Sequence, residues 1–126
     1  MRNTRNILFI CLLVLCVAVM FGCGKKADES KPISEVKAEA EKMDVEQLRS
    51  MALKYKDAIM DKQEEVTKIT AELKKIPVAD MLGNEAKSLK ADIDELTKSV
   101  SALKERFQVY YDKIKEKGGD LSGLKL

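Results

Sequence analysis

The sequence predicts an all-α protein whose central feature is an antiparallel two-helix coiled-coil hairpin. Apolar residues alternate at spacings of three and four through two long runs, which is the repeat of a coiled-coil seam. Pro77 separates the runs, and proline disfavours the helical conformation at the residue before it. The 126 residues are 35% charged and only 5% aromatic, so we expect one domain with a narrow core.

The first segment, residues 1–22, has the pattern of an export signal. Arg2 and Arg5 precede an unbroken apolar stretch over residues 7–21, and the small residue Gly22 follows it. A helix over that stretch would span only about 22 Å, whereas a bilayer core is about 30 Å thick. Cleavage is therefore the expected fate of this segment.

Cys23 lies directly after Gly22, in the stretch Val-Met-Phe-Gly-Cys-Gly-Lys-Lys. This stretch resembles the lipobox of bacterial lipoproteins, with Met20 and Phe21 in place of the usual Leu and Ala or Ser. The resemblance implies that Cys23 is acylated, becomes the mature N-terminus and anchors the chain to a membrane of the bacterial cell envelope, facing the periplasm or the cell exterior. Two alternatives stay open: an ordinary signal peptide cut at residues 22–24, and an uncleaved anchor over residues 7–24.

Removal of the signal changes the cysteine count and the charge. Cys11 and Cys16 would leave with it, so Cys23 would be the single cysteine and no intramolecular disulfide could form. Arg2 and Arg5 would also leave, which brings the formal net charge from +2 to zero. We therefore expect no nucleic-acid partner.

The composition argues against an enzyme. The chain has no His, which removes imidazole metal ligands and the usual general base near neutral pH. Two carboxylate pairs at i, i+4, Glu35 with Glu39 and Asp57 with Asp61, lack a third ligand. No phosphate-binding loop or nucleophile constellation is present. We predict no catalytic residue, no metal site and no cofactor.

Residues 23–43 are expected to form a tether that contains a short helix. Residues 24–31 are small and polar, as in a linker. After Pro32, Ile33, Val36 and Ala40 recur at helical spacing, which predicts one brief helix.

Residues 44–117 are predicted to form the hairpin, with its turn at about 77–83. Asp44 and Gln47 have the spacing of a capping box, so the first helix should run from Asp44 to about Ile76. The second should run from Ala79 or Asn84 to Lys117, where Gly118 supplies a left-handed stop. The first predicted seam consists of Val45, Leu48, Ala52, Tyr55, Ile59, Lys62, Val66, Ile69, Leu73 and Ile76. The second consists of Ala79, Leu82, Ala86, Leu89, Ile93, Leu96, Val100, Leu103, Phe107, Tyr110 and Ile114.

The apolar stripe widens where the first helix begins and the second ends. Met51 and Ala58 flank the first seam there, and Val109 and Tyr111 flank the second. Three elements could cover this end: the short helix, a second copy that completes a four-helix bundle, or residues 118–126. We otherwise expect residues 118–126 to be a flexible tail.

This geometry predicts the functional ends. Cys23 should lie at the end that the tail shares, and the turn should be the distal tip. Four apolar residues at the tip are candidates for docking a partner: Ile76, Val78, Met81 and Leu82.

The predicted function is that of a membrane-anchored envelope lipoprotein, a non-catalytic helical binding, spacer or scaffold module with a protein partner or a second copy of itself. The alternative is a periplasmic helical chaperone or stress-sensor-like protein, by analogy of fold alone.

Overall fold

The computed structural model describes residues 26–126. The predicted signal and Cys23 lie outside this part of the chain. Within it there are three α-helices, one 3-10 turn and no strand: α1 (Ile33–Glu41), α2 (Val45–Leu73), the 3-10 turn (Val78–Asp80) and α3 (Asn84–Glu116). The prediction of an all-α protein is confirmed for the described residues.

The short helix α1 forms where the sequence predicted it. The Pro32 carbonyl accepts hydrogen bonds from the backbone amides of Glu35 and Val36, both at 3.0 Å. Proline is favourable at this point because the first amides of a helix have no partner within the helix. The N–H that proline lacks therefore costs no hydrogen bond. Val36 and Ala40 share one face and are fully buried, so α1 is held by its packing.

Helix α2 begins with the predicted capping box. The Gln47 amide donates to Asp44 Oδ1 at 2.8 Å, and the Asp44 amide donates to Gln47 Oε1 at 3.1 Å. The helix ends at Leu73, three residues before the predicted end at Ile76. Lys75 and Ile76 make tighter bonds of the 3-10 type instead, because Pro77 disfavours continuation of the α-helix.

Helix α3 begins at Asn84, the later of the two predicted starts. Ala79 lies in the 3-10 turn and Leu82 in the link that follows, and both are exposed. Their assignment to the seam was wrong, because the 3-10 turn and the extended backbone of Gly83 interrupt the repeat. The predicted stop at the other end is confirmed, since Gly118 has a φ of 68° and the Gly119 amide bonds the Ile114 carbonyl at 2.9 Å.

Helices α2 and α3 pack against each other. Where α2 begins and α3 ends, Lys117 Nζ donates to the Met43 carbonyl at 2.6 Å. Val45 and Ile114 approach Gly119 so closely that a Cβ there would lie 2.6 Å from Val45 Cγ1. Only a glycine therefore fits at this crossing.

Burial divides the molecule into two regions. We call the base the region formed by α1, residues 45–59 of α2, residues 100–117 at the end of α3 and the tail, 118–126. We call the arm residues 60–99. Apart from Ala86, every buried residue in the described chain belongs to the base. The arm's seam residues are only half-buried: Lys62, Val66, Ile69, Leu73, Ile76, Leu89, Ile93 and Leu96.

The tail differs from the prediction of a flexible segment. Leu124 is fully buried in the core of the base, and Lys56 Nζ donates to the Gly123 carbonyl at 2.7 Å. Arg49 also donates to two tail carbonyls, those of Asp120 and Ser122. The tail is packed because Leu124 fills the widened apolar stripe, and the cationic side chains satisfy the backbone groups beside it.

Candidate functional site

The segment that leads toward Cys23 is fixed to the helices; we call residues 26–32 the strap. The Tyr55 hydroxyl donates to the Asp28 carbonyl and accepts from the Asp28 amide, both at 3.1 Å. Arg106, only 8% exposed, donates to the Lys31 carbonyl from Nε at 2.9 Å and from Nη2 at 2.6 Å. Two buried side chains thus hold the strap by its backbone.

The strap's own side chains add local contacts. Lys31 Nζ lies 2.7 Å from Glu39 Oε1 on α1, and this hydrogen bond raises the pKa of Lys31. Asp28 Oδ1 accepts from the Ser30 hydroxyl at 2.6 Å and from the Ser30 amide at 2.9 Å. These bonds lower the pKa of Asp28, since they favour the charged form. The strap is therefore a compact turn docked on α1, α2 and α3.

The course of the strap differs from the expected tether. Lys31 lies beside Arg106, whereas Glu29 accepts a hydrogen bond from the Ser99 hydroxyl. Ser99 precedes Arg106 on α3, so the strap followed backward along the chain leads away from the end of α3. It reaches the middle of that helix. The sequence predicted that Cys23 would lie at the base end; Cys23 is outside the described residues, and the strap itself contacts the middle of α3.

Sequence reasoning did not single out Arg106. It lies one residue from the seam residue Phe107 and resembles any other charged residue of a helix face. Its role depends on a carbonyl that is 75 residues away in the chain. Arg106 Nη1 also donates to the Ala102 carbonyl of its own helix, at 2.7 Å. This contact is local, but it is seen only in the structure and not in the sequence.

A stacked tyrosine pair lies under the strap. The rings of Tyr55 and Tyr110 have centroids 5.5 Å apart, and both side chains are almost completely buried. The Tyr55 hydroxyl is bonded to Asp28, whereas the Tyr110 hydroxyl has no hydrogen-bond partner within residues 26–126. Burial raises the pKa of Tyr110, and the nearby Tyr55 and Glu39 raise it further, because a phenolate would be poorly solvated there.

A groove of about 550 Å³ runs between α1 and α3. Lys113 lies along it and pairs with Glu41 at 2.6 Å and Glu116 at 2.9 Å. Both hydrogen bonds raise the pKa of Lys113. Its lining combines four carboxylates and two lysines with the apolar residues Ile33 and Val109, so the groove carries both signs of charge.

At the tip, two of the four predicted docking residues are exposed apolar side chains. Val78 is 91% exposed and Leu82 is 83% exposed. Ile76 and Met81 are half-buried instead. The structure thus brings the four predicted docking residues to one end of the arm and leaves Val78 and Leu82 as the accessible ones.

A second groove, of about 630 Å³, continues from the strap along the arm. Ile69 and Leu96 form part of its wall, and Lys62, the one charged residue of the predicted seam, borders it. Lys62 is half-buried, as expected when an aliphatic stem packs and its ammonium reaches water. At this groove, one side of the seam between α2 and α3 is exposed to solvent.

The described residues hold no group of three or more side chains with metal-binding chemistry. None of the helices that the structure describes is long and apolar enough to cross a membrane. No protein-family model, curated protein or solved structure matches the chain. We therefore infer the function from the residues and their geometry.

Proposed function

We propose that this chain is a membrane-anchored lipoprotein of the bacterial envelope that acts as a non-catalytic helical binding, spacer or scaffold module. The anchor would be an acylated Cys23, and its support is the signal pattern of residues 1–22 followed by the lipobox-like stretch. The lack of His supports a role without catalysis.

The working part of the molecule, in this proposal, is an antiparallel two-helix coiled-coil hairpin formed by α2 and α3. Its support is the spacing of the seam residues together with the contact between the start of α2 and the end of α3. Because α1 and the tail bury apolar residues at the base, a second copy is not needed there. A four-helix arrangement would have to form along the arm.

One observation carries the binding role: Val78 and Leu82 are almost fully exposed at the end of a long helical pair. Exposed large apolar side chains in a short turn contribute little to folding and are favourable for contact with a partner. The arm would hold this apolar tip away from the base. A protein partner, docked through the tip, is the interaction that this arrangement favours.

The anchor is tested by the intact mass of protein extracted from membranes, compared with a Cys23→Ser variant. The proposal predicts a chain that starts at Cys23 and carries acyl chains, and a variant that lacks them. An unmodified mass would contradict it. That result would leave either a chain released by ordinary cleavage or a chain held by residues 7–24.

The tip is tested by a photo-crosslinking amino acid at position 82 in cells that make the protein. Glu65, exposed on the arm and distant from the tip, is the matched control position. The proposal predicts one discrete adduct from position 82 and none from position 65. Equal adducts from both positions, or none from either, would contradict a docking tip.

A second candidate is a chaperone or stress-sensor-like role, which the open groove along the arm favours. A groove walled by half-buried Ile69 and Leu96 could hold apolar segments of an unfolded client. This candidate predicts that the protein suppresses aggregation of a denatured client and that Leu96→Ser weakens the effect. Sedimentation of the purified chain separates it from self-association, in which a second copy would fill the same groove.

A further inference from the structure

We infer that the lipid anchor holds this molecule by its flank, so that α2 and α3 lie along the membrane and the strap side faces the lipid headgroups. The inference rests on the proposed acylation of Cys23. It concerns the surface that meets the bilayer, which the anchor alone does not specify. The observations that carry it are the attachment points of the strap and the length of chain that separates them from Cys23.

The strap is fixed near the middle of the long helices. Ser99, whose hydroxyl donates to Glu29, is 15 residues from the start of α3 and 17 from its end. At about 1.5 Å per residue, these intervals correspond to about 22 Å and about 26 Å. Tyr55, which binds Asp28, is ten residues, or about 15 Å, from the start of α2.

The chain between this attachment and the anchor is short. Cys23 precedes Asp28, which Tyr55 holds by its backbone, by five residues, which span at most about 18 Å when fully extended. The start of α2 is about 15 Å from Tyr55, and both ends of α3 are farther from Ser99. To stand upright on its base, the molecule would therefore need this segment largely extended and reversed in direction. The lateral surface beside Glu29 is within reach of a relaxed segment.

The strap and the tail lie on different sides of α2. Tyr55 binds the strap and Lys56, the next residue, binds the tail, and consecutive helical residues point about 100° apart. Lys62 and Lys98 line the groove that continues from the strap. In a flank-on arrangement these two lysines face the headgroups, whereas the exposed Lys125 belongs to the tail, on a different side of α2.

The experiment uses the chain from residue 23 to 126, coupled through its single cysteine to a maleimide lipid in a supported phosphatidylcholine bilayer. Neutron reflectometry measures the thickness of the protein layer. When the molecule lies on its flank, three stacked layers of helix and tail give a layer thickness of about 30 Å. When it stands upright, the length of α3 alone gives a thickness of about 50 Å. A layer of 50 Å, as estimated for the upright molecule, would overturn the inference.

A matched variant tests the role of tether length without changing the fold. Sixteen Gly and Ser residues inserted after Cys23 add a mean span of about 22 Å. We expect a thicker, more diffuse layer from this variant. The same thin layer from both proteins would overturn the inference, since surface attraction and not the tether would then set the orientation.

Lysine acetylation, read by mass spectrometry, gives a second readout. Coupling to the bilayer should slow modification of Lys62 and Lys98 several-fold and leave Lys125 unchanged. Equal rates before and after coupling would contradict the inference. Because the maleimide lipid replaces the natural one, these results are independent of whether Cys23 is acylated in cells, which the intact mass decides.

Discussion

The base and the arm share the same two helices and the same apolar repeat, yet only the base has a closed core. At the base, α1 and the tail add Val36, Ala40 and Leu124 to the faces of α2 and α3. Along the arm nothing in the described chain covers the seam, and residues such as Val66 and Ile93 stay half-buried. A two-helix seam specifies pairing, but third and fourth segments are required to exclude water from it.

This difference assigns separate tasks to the two regions. The base carries the strap, through Tyr55 and Arg106, and in our proposal it would therefore position the anchor at Cys23. The arm carries the exposed tip. Since burial of apolar area is the main stabilising contribution to folding, we expect the base to account for most of the stability and the arm to open more easily.

The largest expected effect comes from the same truncation made in each region. Leu48→Ala, in the base, removes a side chain that is fully buried and should lower the free energy of unfolding by about 3 kcal/mol. Leu96→Ala, in the arm, removes a half-buried one and should cost about 1 kcal/mol. Urea denaturation of both variants measures the difference. Equal losses would break the distinction between base and arm.

The next effect separates the two arginines that bind backbone carbonyls. Arg106→Met removes the buried donors to Lys31 and leaves that carbonyl without them, at a cost of about 2 kcal/mol. Arg49→Met, whose side chain is 29% exposed, should cost about 0.5 kcal/mol because water can replace it. Hydrogen exchange of residues 27–31 should accelerate in the first variant alone. Acceleration in both would mean that the strap is not held by Arg106.

The stacked tyrosines offer a finer comparison within the base. Tyr55→Phe removes the two hydrogen bonds to Asp28 and should destabilise the protein by about 1 kcal/mol. Tyr110→Phe removes a buried hydroxyl without a partner among the described residues, so stability should stay the same or rise. Thermal melts of the two variants measure their stabilities. A greater loss of stability from Tyr110→Phe would show that its hydroxyl has a stabilising contact.

The buried Tyr110 hydroxyl predicts that the stability of the fold depends on pH in the alkaline range. Because burial raises the pKa of Tyr110 in the folded protein, the unfolded chain loses this proton first, near pH 10. The unfolded state then binds fewer protons, so stability falls as the pH rises above that value. Tyr110→Phe should show a smaller fall than the parent between pH 9 and 11. Parallel curves for the two proteins would contradict the burial of this group.

The smallest effect on stability is expected at the tip. Leu82→Ser alters a side chain that is 83% exposed, so the free energy of unfolding should change by less than about 0.5 kcal/mol. Urea denaturation measures it against Leu89→Ser, a half-buried arm residue that should lose more. A large loss from Leu82→Ser would place this residue in a packed turn and remove the case for docking.

Much of the fold could be predicted because its signals are local. The capping box at Asp44, the break at Pro77 and the stop at Gly118 are each set by residues within a few positions. The approach of Val45 and Ile114 at Gly119 follows from these boundaries. The sequence does not assign the start of α3 to one residue, because Ala79 and Leu82 continue the apolar repeat through a turn that Gly83 interrupts.

The strap and the packed tail could not be predicted in the same way. Both are held by hydrogen bonds to backbone carbonyls distant in sequence, from Arg106 and Lys56 respectively. A carbonyl carries no side-chain identity, so these contacts leave no mark on the pattern of apolar and charged residues. The candidate tip coincides with the turn between α2 and α3, but which of its residues are exposed depends on the turn geometry.

Hydrogen–deuterium exchange of residues 23–126 tests the division between base and arm most directly. We predict that amides of residues 48–59 and 100–114 exchange only on global unfolding, while those of residues 63–72 and 88–98 exchange faster by local opening. Uniform slow exchange along both helices, independent of protein concentration, would contradict it. The arm would then have the stability of the base without the segments that cover the base.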